Sequence, residues 1–290
     1  MSIINPCKSL IKNGFSVTFL PVDKYGFVNL QTLEKAITDK TTLVSVAYGN
    51  GEIGTIQPIQ KIAETVHRKG AMLHVDAVSA CGQVPVNVQA ENIDLMTISS
   101  NDMYGPRGMG ALYVKTGTRI EPTVHGGGQE RGLRSGTENV AAIVGFGKAA
   151  EIARAEMKTE GERLVRLRDR LIEGTLGNVT ASFLNGHHTQ RLPDNVNVRF
   201  SYVEGESLIL SLDMLGVACS SGSACTSKTL EPSHVLLSIG LKHEEAHGSL
   251  LFTLGRQNTE EDVDYVVKAL PDIVKRLRAI SPLTPKEMLQ

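Results

Sequence analysis

The stretch Ser220-Ser221-Gly222-Ser223-Ala224-Cys225-Thr226-Ser227 sets one cysteine among small polar residues, with almost nothing apolar to bury it. Free cysteine is ordinarily a buried small hydrophobe, whereas thiolate chemistry needs exposure and freedom to approach a partner. The composition therefore points to a thiol at Cys225 that reacts or ligates, the plainer alternative being a solvent loop with an incidental cysteine. Three other segments could do chemistry. His74-Val75-Asp76-Ala77 ends an apolar run on a carboxylate, which can cap the next helix or pair with a ring nitrogen or a cation. Ser99-Ser100-Asn101-Asp102-Met103-Tyr104-Gly105-Pro106 offers hydroxyls and backbone amides suited to a phosphate, and equally to an ordinary turn. His125-Gly126-Gly127-Gly128-Gln129-Glu130-Arg131 and Arg134-Ser135-Gly136-Thr137 make a glycine-rich basic loop that favours an anion, yet it has neither the Walker nor the dinucleotide pattern.

The elements that must position these residues alternate in the manner of a parallel sheet with crossover helices. Strands are expected at 42–48, at 72–75 up to Asp76, at 95–98 and at 111–114. Between the first two, Pro58 and Gly70 bracket a helix whose apolar residues Ile59, Ile62, Ala63 and Val66 fall on one face. A long helical pattern from Val140 to about Glu173 leads into a second half with strands at 195–200 and 250–254 and helices at 206–215 and 260–280. The expected division is a large domain over 1–156 and a small C-terminal domain over 157–290 that carries the Cys225 loop. In open α/β sheets ligands bind beyond the carboxyl ends of the strands, where Asp76 and Ser99 fall.

The chain of 290 residues is 41% hydrophobic, enough for a sizeable core, and its formal charge of -1 from 30 basic and 31 acidic residues leaves no field to recruit nucleic acid. No apolar run approaches membrane-spanning length, and the start Met1-Ser2-Ile3-Ile4-Asn5-Pro6 does not read as a secretory signal, so a cytoplasmic protein without a membrane partner is expected. Cys7, Cys81, Cys219 and Cys225 are too few and scattered for a disulfide framework, and none forms a CxxC pair. The first three read as structural, with Cys219 near enough in sequence to be a second thiol for Cys225.

In this order the segments resemble the cysteine desulfurases of iron–sulfur cluster assembly, pyridoxal phosphate (PLP) enzymes related to the class V aminotransferases. The carriers are Gly51-Glu52-Ile53-Gly54, His74-Val75-Asp76-Ala77, Tyr104-Gly105-Pro106-Arg107-Gly108, Arg134-Ser135-Gly136-Thr137, Val203-Glu204-Gly205-Glu206-Ser207 and Ser220 through Ser227, followed by Glu231-Pro232-Ser233 and Leu254-Gly255-Arg256. The resemblance implies an α/β protein of the type I aminotransferase fold, with a mainly parallel sheet in the large domain and a smaller α+β C-terminal domain. It implies that Cys225 accepts sulfur from L-cysteine as a persulfide, that Asp76 pairs the PLP pyridinium, that Ser99, with Ser100 and Asn101 beside it, holds the phosphate, and that Thr137 reaches the phosphate of the partner subunit in a homodimer. It also implies a scaffold protein as partner, with Cys225 a ligand to the iron of a [2Fe-2S] cluster.

The departures from the family pattern bear on activity. Family members carry His-Lys where this chain has Asn101-Asp102, and that lysine forms the Schiff base and moves the substrate α-proton. A carboxylate forms no aldimine, and a missing general base costs a factor of roughly 10²–10⁴ by itself. Gly51 stands for a ring-side asparagine, Ser79 for a glutamine, and Leu251 for the arginine that would clamp the substrate carboxylate. The chain also begins inside the family pattern, after the histidine that stacks on the ring. The expectation is a desulfurase homologue defective in its PLP half-reaction, with Cys225 as persulfide acceptor or cluster ligand and PLP, if bound, held without a covalent bond. The alternatives are a working PLP-dependent desulfurase that yields alanine, and a non-catalytic partner subunit or relic.

Overall fold

Two sheets organise the chain, seen in a computed structural model that describes residues 1–222 and 232–288. Cys225 and the rest of its loop from Ser223 to Glu231 lie outside the described residues. In chain order come α1 (Ile4–Lys12), α2 (Leu30–Ala36), β1 (Leu43–Ala47), α3 (Ile59–Arg68), β2 (Met72–Asp76), β3 (Leu95–Ser99) and β4 (Gly110–Val114). The remainder is α4 (Val140–Asn178), β5 (Ser182–Leu184), β6 (Asn195–Phe200), α5 (Gly205–Asp213), α6 (His234–Ser238), α7 (His243–His247), β7 (Ser249–Thr253) and α8 (Glu260–Ile280).

The chain divides into two compact units: one of residues 37–48 and 58–158, the other of residues 1–36, 49–57 and 159–290. Segments 1–36 and 49–57 thus cluster with the C-terminal residues and not with the strands that flank them in sequence. In the first unit β1, β2 and β3 are parallel neighbours and β4 closes the sheet antiparallel to β3. This is the mainly parallel α/β arrangement the alternation implied. Helix α3 makes the crossover, and the expected stripe of Ile59, Ile62, Ala63 and Val66 is buried. Its end is a Schellman motif: Gly70 has φ +78°, and the N–H groups of Gly70 and Ala71 donate to His67 and Val66 carbonyls at 2.9 and 3.3 Å. Leu73 and Val75 of β2 are wholly buried, each worth about 1.5–3 kcal/mol by transfer from water.

The second unit holds the antiparallel sheet β5-β6-β7. Along β6 the alternation Asn195-Val196-Asn197-Val198 sends the valines, with Phe200, into a core shared with Leu208, Leu212, Leu250 and the buried face of α8. The asparagines line the opposite face and are themselves buried. Helix α8 starts with a capping box between Thr259 and Asp262.

Several expectations need correction. Helix α4 runs on to Asn178, 39 residues in all, past the Glu173 end expected from sequence. Helix α5 stops at Asp213, not Leu215. Helices α1, α2, α6 and α7 and strand β5 carried no expectation: α6 and α7 have 5 residues each and β5 has 3, too few to display a period, while α1 buries no side chain at all. Among the described residues no helix is long and apolar enough to cross a membrane.

Candidate functional site

In the first unit the carboxyl ends of β2 and β3 present Asp76 and Ser99, both half-buried. Asp76 ends β2 because the chain turns there: its Oδ1 accepts from Val78 N–H at 3.1 Å and its carbonyl from Tyr48 N–H at 2.8 Å. One turn of strand earlier, the His74 ring bridges the sheet, Nδ1 to Ser45 Oγ at 2.8 Å and Nε2 to Thr97 Oγ1 at 2.9 Å. Burial pushes the His74 pKa down and the Asp76 carboxylate partly offsets it, so the ring is neutral at physiological pH.

Beyond β3 the Ser100 side chain is fully buried and its Oγ has no hydrogen-bond partner. It lies beneath Gly105, where an added Cβ would come within 2.3 Å of that oxygen and 2.9 Å of Ala149 Cβ. Asn101 and Asp102 sit exposed on a single 3-10 turn, Asn101–Met103, closed by Tyr104 in the left-handed conformation at φ 59°. Thr137 is exposed on the segment before α4. The structure thus brings Asp76, Ser99, Ser100, Asn101 and Asp102 to the strand ends of one sheet. Their donor set does not fit PLP held as a Schiff base, because the turn presents a carboxylate where an amine is required. Asp76 and the Ser99 hydroxyl offer only non-covalent contacts.

The second unit gathers a different set around the loop 49–57. Asn50 folds it: Oδ1 accepts from Glu52 and Ile53 N–H at 2.9 and 3.0 Å, and its own N–H and carbonyl pair with Thr55 and Gly54. The buried face of β6 grips it, Asn195 Nδ2 donating to the Gly51 and Glu52 carbonyls at 3.0 and 3.1 Å and Asn197 Nδ2 to the Glu52 carbonyl at 2.9 Å. Arg191, 3% exposed, adds hydrogen bonds to the carbonyls of Ile53, Asn185, His187 and Asn195 and to Asn195 Oδ1. Burial and then repulsion from Arg168 push its pKa down to about 10, so it keeps its charge at neutral pH.

The described ends of the Cys225 loop meet this same loop. Upstream, Ser220 pairs with Leu251 of β7 through both backbone hydrogen bonds, and its Oγ accepts from Gly222 N–H at 3.0 Å. Gly222 has φ +82°, and a Cβ there would lie 2.7 Å from Glu52 Cγ and 3.0 Å from its Cδ and Oε1. Downstream, Ser233 Oγ accepts from Val235 and Leu236 N–H to cap α6, and its hydroxyl donates to the Glu52 carboxyl. Glu52 Oε1 is buried with no partner. Burial raises the Glu52 pKa and the Ser233 hydrogen bond draws it partly back. Leu251, at the position of the expected arginine, is a half-buried aliphatic with nothing to offer a carboxylate.

Cys219 packs against the β5-β6-β7 core, and burial together with Asp213 lifts its pKa to about 11, which makes it a poor second thiol. Cys81 is likewise held up by burial, beside the cluster around Met103. Among the described residues no group of three metal-ligating side chains occurs. A cavity of about 330 Å³ at the start of α8, lined by Arg163, Arg166, Arg256, Asn258 and Thr259, shares no residue with either set. Sequence reasoning passed over Asn195, Asn197 and Arg191, and it quoted Glu52 and Ser233 only within motifs, with no role assigned; the alternating asparagines of β6 were the available signal, since polar residues on a strand face call for buried partners.

The Aminotransferase class-V family profile matches residues 1–266. The chain is 60% identical over 283 residues to "Cysteine desulfurase IscS 1" of Archaeoglobus fulgidus, across 98% of this chain and 74% of that protein. It is 53% identical over 286 residues to "Cysteine desulfurase IscS" of Methanosarcina thermophila, across 99% of this chain and 70% of that protein. Among solved structures a "NifS-like protein" superposes with a TM-score of 0.87 at 35% identity, covering 95% of this chain and 72% of that one. "SspA in complex with cysteine" superposes at 0.72 with 32% identity, covering 87% and 70%.

Proposed function

This chain belongs to the class-V aminotransferase family and, within it, to the cysteine desulfurases, and from that premise we propose that it handles sulfur through Cys225 while its PLP half-reaction is defective. The observation that carries the reading is an uneven loss. The Ser220–Gly222 and Ser233 anchors of the cysteine loop are in place, whereas Asp102 and Leu251 stand where the amine and the guanidinium are needed.

When bound, PLP supplies an electron sink for bond breaking at the substrate α-carbon. Asp76 and Ser99 offer that group a ring contact and a phosphate contact, and Asp102 gives it no covalent anchor. The sulfur step assigned to Cys225 needs none of these residues. Its thiolate attacks the outer sulfur of a donor persulfide, the donor S–S bond breaks, the donor leaves as a thiolate, and the persulfide now sits on Cys225. The same thiolate could instead ligate a [2Fe-2S] cluster as cargo shared with a scaffold protein. A cytoplasmic homodimer, with Thr137 directed to the partner subunit, and a domain division near 156/157 belong to this reading.

The test is intact-protein mass after anaerobic incubation with L-cysteine and PLP, and separately with a low-molecular-weight persulfide, with Cys225→Ser as control and alanine quantified. We expect no alanine beyond background, and one added sulfur on wild-type protein from the persulfide that Cys225→Ser does not take up. Alanine in molar excess over protein would overturn the defect and return the active desulfurase; an unchanged adduct in Cys225→Ser would remove the sulfur role.

A further inference from the structure

Helix α7, His243-Glu244-Glu245-Ala246-His247, sets two histidines one turn apart. Residues four apart on a helix lie on the same side, with Cβ atoms about 5–6 Å apart. Here the two ring centroids are 6.3 Å apart at an interplanar angle of 54°. His243 is exposed and His247 half-buried, and among the described residues neither ring is hydrogen-bonded. The turn that carries them is fixed at several points. Lys242 N–H donates to Glu245 Oε2 at 2.9 Å, Ala246 is buried in a cluster with Ile53, Leu236 and Ile239, and β7 follows at once from Ser249. The His247 carbonyl packs on Gly205, where an added Cβ would come within 2.5 Å of it, and Gly248 leaves no room for a Cβ before the Phe200 carbonyl.

We propose that His243 and His247 form a two-ligand site for a late first-row divalent cation: Cu²⁺, Ni²⁺ or Zn²⁺. Neutral imidazole suits these ions, whereas Mg²⁺ and Ca²⁺ take oxygen ligands. With metal–nitrogen bonds of about 2.0–2.1 Å, an ion shared in tetrahedral geometry draws two ring centroids to roughly 5 Å. The exposed His243 ring closes that gap by a small side-chain rotation, and the fixed turn keeps the ordering cost low. Once one ring holds the ion, the second binds it within the same molecule, a gain of roughly 10²-fold or more over a lone imidazole. Glu244 and Glu245 add negative charge beside the rings, and Arg199, 4.0 Å from Glu245 Oε1, offsets part of it. His-Glu-x-x-His on a helix is also the pattern of zinc hydrolases, whose metal needs a third protein ligand. No group of three metal-ligating side chains occurs among the described residues, so the geometry supports binding with water in the remaining positions, not hydrolysis. The site rests on α7 alone and is independent of the sulfur-handling reading.

The experiment is carbethoxylation of the full chain by diethyl pyrocarbonate at fixed neutral pH across a titration with Ni²⁺ alone, followed by peptide mass mapping. The reagent attacks the same unprotonated ring nitrogen that a metal takes, so a bound ion protects its ligands. The exposed His125, in the same digest, reports an imidazole acting singly. The rates at His243 and His247 are expected to fall together, by roughly tenfold once Ni²⁺ is at about ten times its dissociation constant. His125 should need roughly 10²-fold more Ni²⁺ for the same protection. In His243→Ala, which alters an exposed side chain, protection of His247 should shift to the range of His125, and in His247→Ala that of His243 should do the same; melting temperatures without metal check that each variant is folded. Rates at both histidines unmoved by Ni²⁺, protection of His247 that survives in His243→Ala, or protection of His125 over the same range as the pair overturns the proposal.

Discussion

Asp94 and Glu52 show two carboxyls driven in opposite directions by their surroundings. Burial pushes Asp94 up, but hydrogen bonds from Leu73 N–H, His67 and Lys115 outweigh it and hold the pKa below the usual carboxylate range. A depressed acid contributes stability that is present above its unfolded pKa and lost as pH falls through the folded one. Asp94→Asn is therefore expected to cost about 1–2 kcal/mol at pH 7 and progressively less as pH falls below the usual carboxylate range, measured by urea unfolding across an acidic pH series. Glu52 is raised, so its contribution is present below the usual range and lost as pH climbs through its folded pKa. In the same measurement Glu52→Gln should be stabilising at pH 7 and neutral near pH 3. The strand-end residues Asp76 and Ser99 were readable from sequence because a polar residue closing an apolar run marks a strand's carboxyl end. The partnership of Glu52 with Gly222 and Ser233 was not, since nothing in the local pattern of three remote segments says that they meet.

At the scale of elements, two glycines separate conformational cost from steric cost. A Cβ on Gly70 would meet nothing within 4 Å, so Gly70→Ala carries only the strain of φ +78°, about 1 kcal/mol, and should lower the melting temperature by a few degrees. Gly105→Ala would bring its Cβ to 2.3 Å from the Ser100 Oγ and force the turn that carries Asp102 away from β3. It is expected to cost roughly 3 kcal/mol or more, and calorimetry on the two variants side by side checks the ordering. Helix α3 and strands β1 to β4 and β6 were readable because their apolar periods are clean and Pro58 and Gly70 punctuate them. Helices α6 and α7 were not, because one turn and a half is held by its caps and by packing of Leu236 and Ala246 against Ile53, which are tertiary facts.

For the whole molecule, the expected division at 156/157 would assign loop 49–57 to the large domain, whereas its hydrogen bonds run to Arg191, Asn195 and Asn197. A fragment of residues 157–290 made alone would leave those donors buried without acceptors, each at about 1–3 kcal/mol. The fragment is therefore expected to show weak, non-cooperative thermal unfolding by circular dichroism, and a Met1–Gln57 peptide supplied in trans should sharpen the transition; a fragment that unfolds as cooperatively as the full chain would contradict the assignment of the loop. This tie was not legible in sequence, because hydrogen bonds that span 143 residues leave no local mark.

That separation also has a meaning in time. Glu52 emerges during synthesis long before Asn195, the residue 143 positions later that grips its carbonyl. At elongation rates of about 5–20 residues per second the loop spends roughly 7 to 30 seconds without its partner. Over that interval the nascent chain must carry the loop's unpaired carbonyls in water or against another protein, so the second unit completes late, only once β6 has left the ribosome.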